Sequence, residues 1–97
     1  MNIYYDENKY LKKFFNSISF DYKNLIYKDI ENRLPKLIKL ANPKIKTADK
    51  FKFNGSRFFF ECKIILDKNI ACRVAYIYSK TFIKIIYISF TLVKRLF

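Results

Sequence analysis

The chain has 97 residues, is 52% apolar and 20% aromatic, and carries a formal net charge of +12; this leaves room for one domain with one modest core and excludes a disordered chain. One Gly and two Pro exclude a fibrous or loop-rich chain. There is no His, which excludes Ser-His-Asp and Cys-His catalysis and removes the commonest metal ligand.

In chain order, Ile3-Tyr4-Tyr5 reads as a short first strand, after which Asp6 is placed to cap a helix. Tyr10, Leu11, Phe14, Phe15 and Ile18 follow at helical spacing, with Lys9, Lys12, Lys13 and Asn16 elsewhere on the surface. Residues 16–20 form a connection, and Ser19 or Asp21 caps a second helix. That helix keeps the helical period through Tyr22, Leu25, Ile26, Ile30, Leu34, Leu37 and Ile38. Pro35 predicts a kink or break near Leu34, because proline removes a backbone donor and clashes with the preceding turn. The short link predicts a helical hairpin.

Asn42-Pro43 ends the helical part, residues 44–52 read as a basic connector, and Asn54-Gly55 signals a turn. From Arg57 to Asp67 the residues alternate. Phe58, Phe60, Cys62, Ile64 and Leu66 point one way; Arg57, Phe59, Glu61, Lys63 and Ile65 point the other. Asp67-Lys68-Asn69 is a hairpin loop, and Ile70 to Ser79 alternates again, with Cys72, Val74, Tyr76 and Tyr78 opposing Ala71, Arg73, Ala75, Ile77 and Ser79. Ser79-Lys80-Thr81 turns into a last strand, Phe82 to Val93, rich in β-branched and aromatic residues. The expectation is an α+β domain spanning residues 1–97, a helical hairpin packed on a twisted antiparallel sheet of three to four strands. Simple hairpin pairing puts Arg57, Glu61, Lys63 and Arg73 on the face away from the helices. Phe58, Phe60, Tyr76 and Tyr78 fall on the core side.

The start of the chain has neither a basic n-region nor a long apolar stretch, and the most apolar window, Phe82 to Val93, is interrupted by Lys84. Both point to a cytoplasmic protein with no membrane association. Cys62 and Cys72 fit no zinc-ligand pattern and read as small core residues; a disulfide between them requires that their strands pair.

Lys outnumbers Arg 16 to 4, a skew that an AT-rich genome produces whatever the function. The scarcity of acids is a separate matter. Residues 50–97 carry 10 basic side chains against Glu61 and Asp67 alone. This asymmetry suggests a nucleic-acid surface or an acidic protein partner.

With no Walker loop, dinucleotide fingerprint or clustered carboxylates, the chemistry left is that of a basic sheet face. Arg57, Glu61 and Lys63 lie on one strand, Arg73 on the next and Tyr87 on the third. Such a set is equipped to cut RNA without metal or cofactor, since RNA supplies its own 2′-hydroxyl nucleophile. Arg and Lys stabilise the added charge on the phosphorane. Glu61, or a lysine of depressed pKa, acts as base, and Tyr87 stacks on a base or relays a proton. The plainer alternative makes Glu61 a cross-strand ion-pair partner of Lys63 and Arg73.

Several segments resemble the RelE/ParE superfamily of bacterial toxin–antitoxin toxins, especially its HigB-like and phage-derived members. They are Lys50-Phe51-Lys52-Phe53-Asn54-Gly55, Phe60-Glu61-Cys62-Lys63, Cys72-Arg73-Val74-Ala75-Tyr76, Ile85-Ile86-Tyr87-Ile88-Ser89-Phe90 and Lys94-Arg95. The chain departs from the family pattern at Lys63, where Arg is usual, and in the three residues between Phe90 and Lys94, where one is usual. The resemblance implies a toxin that cuts messenger RNA on the ribosome and a cognate antitoxin that covers the basic face. By position, Arg73 and Lys63 would bind or stabilise the phosphate, and Glu61 would be structural or orienting. Lys50, Lys52, Arg57, Lys84, Lys94 and Arg95 would contact RNA. A gyrase inhibitor of the ParE type and a non-catalytic nucleic-acid-binding domain are the alternative readings.

Overall fold

A computed structural model of the chain describes residues 2–39, 46–47, 60–79 and 81–92. The predicted helix stop at Asn42-Pro43, most of the connector 44–52, the Asn54-Gly55 turn, Arg57, Phe58, Phe59 and Lys80 lie outside the described residues, as do Val93 and all that follows it.

The chain opens with strand β1 (Asn2–Tyr5), followed by helices α1 (Lys9–Ser17) and α2 (Phe20–Lys39). The cap of α1 is Asn8, not Asp6: the Asn8 side-chain oxygen accepts from the Leu11 N–H at 2.9 Å. Asp6 sits one step further out. Its carboxylate accepts from the Asn8 backbone and side-chain amides at 3.2 and 2.6 Å and so orients the cap. Between the helices, Ser19 does the capping: its carbonyl accepts from the Lys23 N–H and its Oγ from the Tyr22 N–H. Asp21 lies in the first turn of α2 and Lys36 and Lys39 in the last, matching the helix dipole at both ends.

Helix α2 does not break at Pro35 but runs on to Lys39. Ile26, Ile30, Leu34 and Leu37 form its buried stripe. Burying Leu34 and Leu37 on either side of the proline contributes ~1.5–3 kcal/mol each, enough to offset the ~3 kcal/mol that an internal proline costs. Two residues expected on apolar helix faces, Tyr10 and Leu25, are exposed; each lies at the margin of its stripe.

Beyond the helices come β2 (Lys46–Thr47), β3 (Phe60–Ile65), β4 (Ile70–Tyr78) and β5 (Phe82–Leu92). They join β1 in one sheet of order β1-β5-β4-β3-β2, with four strands of four residues or more and the two-residue β2 at one edge. The sheet is mixed, which corrects the all-antiparallel expectation: β1 runs parallel to β5, with Tyr4 opposite Lys84. β3, β4 and β5 form the antiparallel meander that the alternation predicts. No hairpin joins β1 to β5, so local turn signals carry no information about the sense of that pairing.

The β4–β5 ladder carries a bulge. Ala75 pairs with Tyr87 but Tyr76 pairs with Ile85, so Ile86 is the extra residue. Its carbonyl accepts from the Asn8 side chain at 2.9 Å, which ties the start of α1 to the bulge. Before the bulge, Ile83 and Ile85 face the helices; after it, Ile88 does, and all three are buried in the same cluster. The core is completed by Leu11 and Phe14 of α1, Ile26, Ile30 and Leu34 of α2, Cys62, Ile64 and Leu66, and Cys72, Val74 and Tyr76. Phe60 is half-buried against it, while Tyr78, predicted to be core, is exposed at the end of β4.

Both cysteines are buried and free. Cys62 pairs in register with Val74 and Cys72 with Ile64, so the two are diagonal neighbours. The diagonal separation of roughly 7–8 Å exceeds what a disulfide spans. Among the described residues no helix is long and apolar enough to cross a membrane.

Candidate nucleic-acid interface

The sheet face away from the core cluster is set by register. On β3 it carries Glu61, Lys63 and Ile65; on β4, Ala71, Arg73, Ala75 and Ile77; on β5, Phe82, Lys84, Tyr87, Ser89 and Thr91; on β1, Tyr4. Arg73 is the centre of this face. Lys63 stands directly across from it on β3 and Ser89 directly across on β5. Ala71 and Ala75 flank it along β4, so no large side chain of its own strand screens the guanidinium.

The Lys63–Arg73 pairing is the close kind. The Lys63 carbonyl turns outward, away from β4, and accepts from the Arg33 guanidinium at 2.7 Å. A strand residue's carbonyl and amide point to the same side, so Lys63 and Arg73 form a non-hydrogen-bonded pair, in which facing Cα atoms come within about 4.5 Å. The hairpin end agrees: Leu66 donates to Ile70, which makes 66–70 a hydrogen-bonded position and places 63–73 three steps along, at the alternate type. Both cations are exposed, Arg73 by 51%. Like charges directly opposed destabilise a sheet.

One carboxylate answers them. Glu61 lies diagonally across from Arg73, opposite Ala75, with Oε1 3.9 Å from Arg73 Nε. That is the outer limit of an ion pair and leaves the guanidinium's other donors to solvent. Arg33 is held by Asp29, both carboxylate oxygens lying 2.9 Å from its Nε, and adds a third cation at the outer edge of β3. On the other side, Tyr87 is diagonal to Arg73, opposite Ala75, and its ring meets that of Tyr10 edge-on at 6.4 Å.

Of the predicted site residues, Glu61, Lys63 and Arg73 are brought together, and Tyr87 stands one strand over, diagonal to Arg73 by register, with its ring against Tyr10 of α1. Lys84 shares the face but stands apart: it pairs with Asp6 at 3.3 Å, four residues along the strand from the level of Arg73. Burial by itself raises the Asp6 carboxyl, but the hydrogen bonds from Asn8 and the nearby Lys84 ammonium outweigh it and hold the group below its ordinary value. Lys50, Lys52, Arg57, Lys94 and Arg95 lie outside the described residues. Sequence reasoning missed Arg33, Ser89, Asp6, Tyr4 and Phe82, since their places depend on which elements become neighbours.

No family model, curated protein or solved structure matches the chain.

Proposed function

We propose that this sheet face binds the phosphate backbone of RNA and that the chain is the toxin of a toxin–antitoxin pair, a metal-independent endoribonuclease acting on messenger RNA at the ribosome. The observation that carries the reading is the exposed Lys63–Arg73 pair, two like charges held face to face with one carboxylate, Glu61, diagonal to Arg73 at 3.9 Å. A phosphate seated between the two removes their repulsion and gains charge-assisted hydrogen bonds. The toxin assignment rests on the resemblance of residues 50–95 to RelE/ParE toxins and on two helices followed by an antiparallel meander, the element order that the resemblance implies.

The catalytic reading assigns a role to each neighbour. Glu61 takes the proton from the 2′-hydroxyl as that oxygen forms a bond to phosphorus. Lys63 and Arg73 offset the added negative charge. The bond from phosphorus to the 5′-oxygen breaks, and Tyr87 supplies the proton this oxygen takes up, leaving a cyclic phosphate and a free 5′-hydroxyl. Glu61 and Tyr87 lie on the strands either side of Ala75, roughly 10 Å apart at the backbone. This separation suits a base and an acid on opposite sides of one phosphate, as in-line displacement requires.

Induced expression is expected to arrest growth and to create new 5′ ends within messages, read by primer extension. Arg73→Glu is expected to abolish both while keeping the far-ultraviolet circular dichroism of the wild type. Growth arrest with intact messages would remove the nuclease reading, and inhibited supercoiling by purified gyrase would replace it with the ParE-type one. A fully toxic Arg73→Glu protein would remove the site.

A further inference from the structure

The far end of the same face has a different character. A cleft of about 570 Å³ opens there, lined by Tyr4, Tyr5, Asp6, Glu7, Phe82 and Lys84. Tyr4, on the edge strand, is 52% exposed, and its ring meets Phe82 edge-on at 6.3 Å. Tyr4 and Phe82 are on the cation-bearing face because Ile3, Tyr5, Ile83 and Ile85 occupy the alternate positions and pack into or against the core. Counting ~3.3 Å per residue along a strand and ~4.8 Å between strands, Tyr4 lies roughly 16 Å from Arg73. A few nucleotides of extended chain cover that distance.

The charges here argue against a second phosphate. Lys84 is already neutralised by Asp6, and Glu7 adds another carboxylate to the lining. An exposed aromatic ring beside carboxylates fits a nucleobase instead: the ring stacks on the base face, and a carboxylate accepts from an exocyclic amine. Bases inside a duplex present no free face, so such a subsite takes only an unpaired base.

We propose that Tyr4 and Phe82 form a base-stacking subsite, so that the interface takes single-stranded RNA with a phosphate at Lys63–Arg73 and an unpaired base at Tyr4. This rests on the polyanion reading above and extends it to the ligand's class and register.

Inorganic polyphosphate, which has the charge of RNA and no bases, separates the two ideas. The full-length wild type, Tyr4→Ala and Tyr4→Phe are compared for affinity toward a short unstructured single-stranded RNA and toward polyphosphate. Tyr4→Ala is expected to weaken RNA binding by about 5- to 150-fold, the range for losing one base stack, and to leave polyphosphate affinity unchanged. Tyr4→Phe is expected to bind RNA as the wild type does, since the ring is kept. The dependence of RNA affinity on salt is expected to keep its slope in Tyr4→Ala, because no phosphate contact is lost. Unchanged RNA binding by Tyr4→Ala overturns the subsite while leaving the phosphate grip intact, as does an equal loss for RNA and polyphosphate. A wild type that binds neither ligand overturns the polyanion reading itself, and the subsite with it.

Discussion

At the scale of single residues, the arrangement trades stability for charge. Lys63 and Arg73 face each other at the closest cross-strand spacing, and Glu61 reaches only one of them, at 3.9 Å. Lys63→Glu turns a repulsive pair into an attractive one and is expected to raise stability by ~0.5 kcal/mol, within the range for cross-strand ion pairs, while RNA binding is lost. Urea denaturation and an RNA titration of the same variant check the two halves. A variant that is both less stable and fully able to bind contradicts the site. The helix start offers a second residue-level test. Asn8 caps α1 and also holds the Ile86 carbonyl, so Asn8→Ala is expected to cost ~1 kcal/mol or more, typical for a lost cap, read as a lower urea midpoint. The sequence pattern puts this cap at Asp6. Backbone geometry puts it two residues later, since it is Asn8 that takes the extended conformation next to the first helical turn.

At the scale of elements, two departures from local pattern matter. The first is Pro35, which α2 tolerates inside its length. Pro35→Ala restores a helical hydrogen bond and is expected to stabilise the protein by ~2 kcal/mol, the helix penalty of proline less what its rigidity removes from the unfolded chain. The urea midpoint should rise accordingly; no change would mean that the helix is already distorted there. The second is the bulge at Ile86. Strict alternation from Ile83 and Ile85 sends Tyr87 toward the helices, and one extra residue sends it to the face of Arg73 instead. The run Ile85-Ile86-Tyr87-Ile88 is apolar on both sides of the shift, so its pattern does not mark where the phase changes. By contrast the alternation of β3 and β4 reads correctly short of Tyr78, because Glu61, Lys63 and Arg73 alternate with Cys62, Ile64, Cys72 and Val74, and polarity reveals the face.

At the scale of the whole molecule, burial sets the response to alkali. Burial pushes the Cys62 and Cys72 thiols up to about 12 from an ordinary 9.0 and raises Tyr5 and Tyr76 above their ordinary 10.0. The folded protein therefore keeps protons that the unfolded chain gives up. Stability from these four groups is complete below about pH 9 and falls as the pH rises through the range from 9 to 12, because the unfolded state is the one that ionises. Circular dichroism at rising pH is expected to show unfolding in that range; a fold unchanged to pH 12 would contradict the burial. The basic face sets the response to salt. With about three cations engaged, log affinity for single-stranded RNA is expected to fall against log salt with a slope of ~−2. A slope near zero would mean that the net charge of +12 plays no part in binding.

Composition, periodicity and charge placement in the sequence alone determined an α+β chain, two helices, a basic meander and a face shared by Glu61, Lys63 and Arg73. Each of these follows from side-chain alternation or helical spacing within a few residues, where local sterics and hydrophobicity are sufficient. Only the tertiary structure decided that β1 lies parallel to β5, that Tyr4 therefore stands beside Lys84 and Phe82, that the bulge turns Tyr87 outward, and that Arg33 reaches the Lys63 carbonyl. Apart from the bulge, which lies within one hairpin, those pairings join residues 30 to 80 positions apart. They depend on how whole elements bury their apolar sides together, a free energy that no short window of sequence contains.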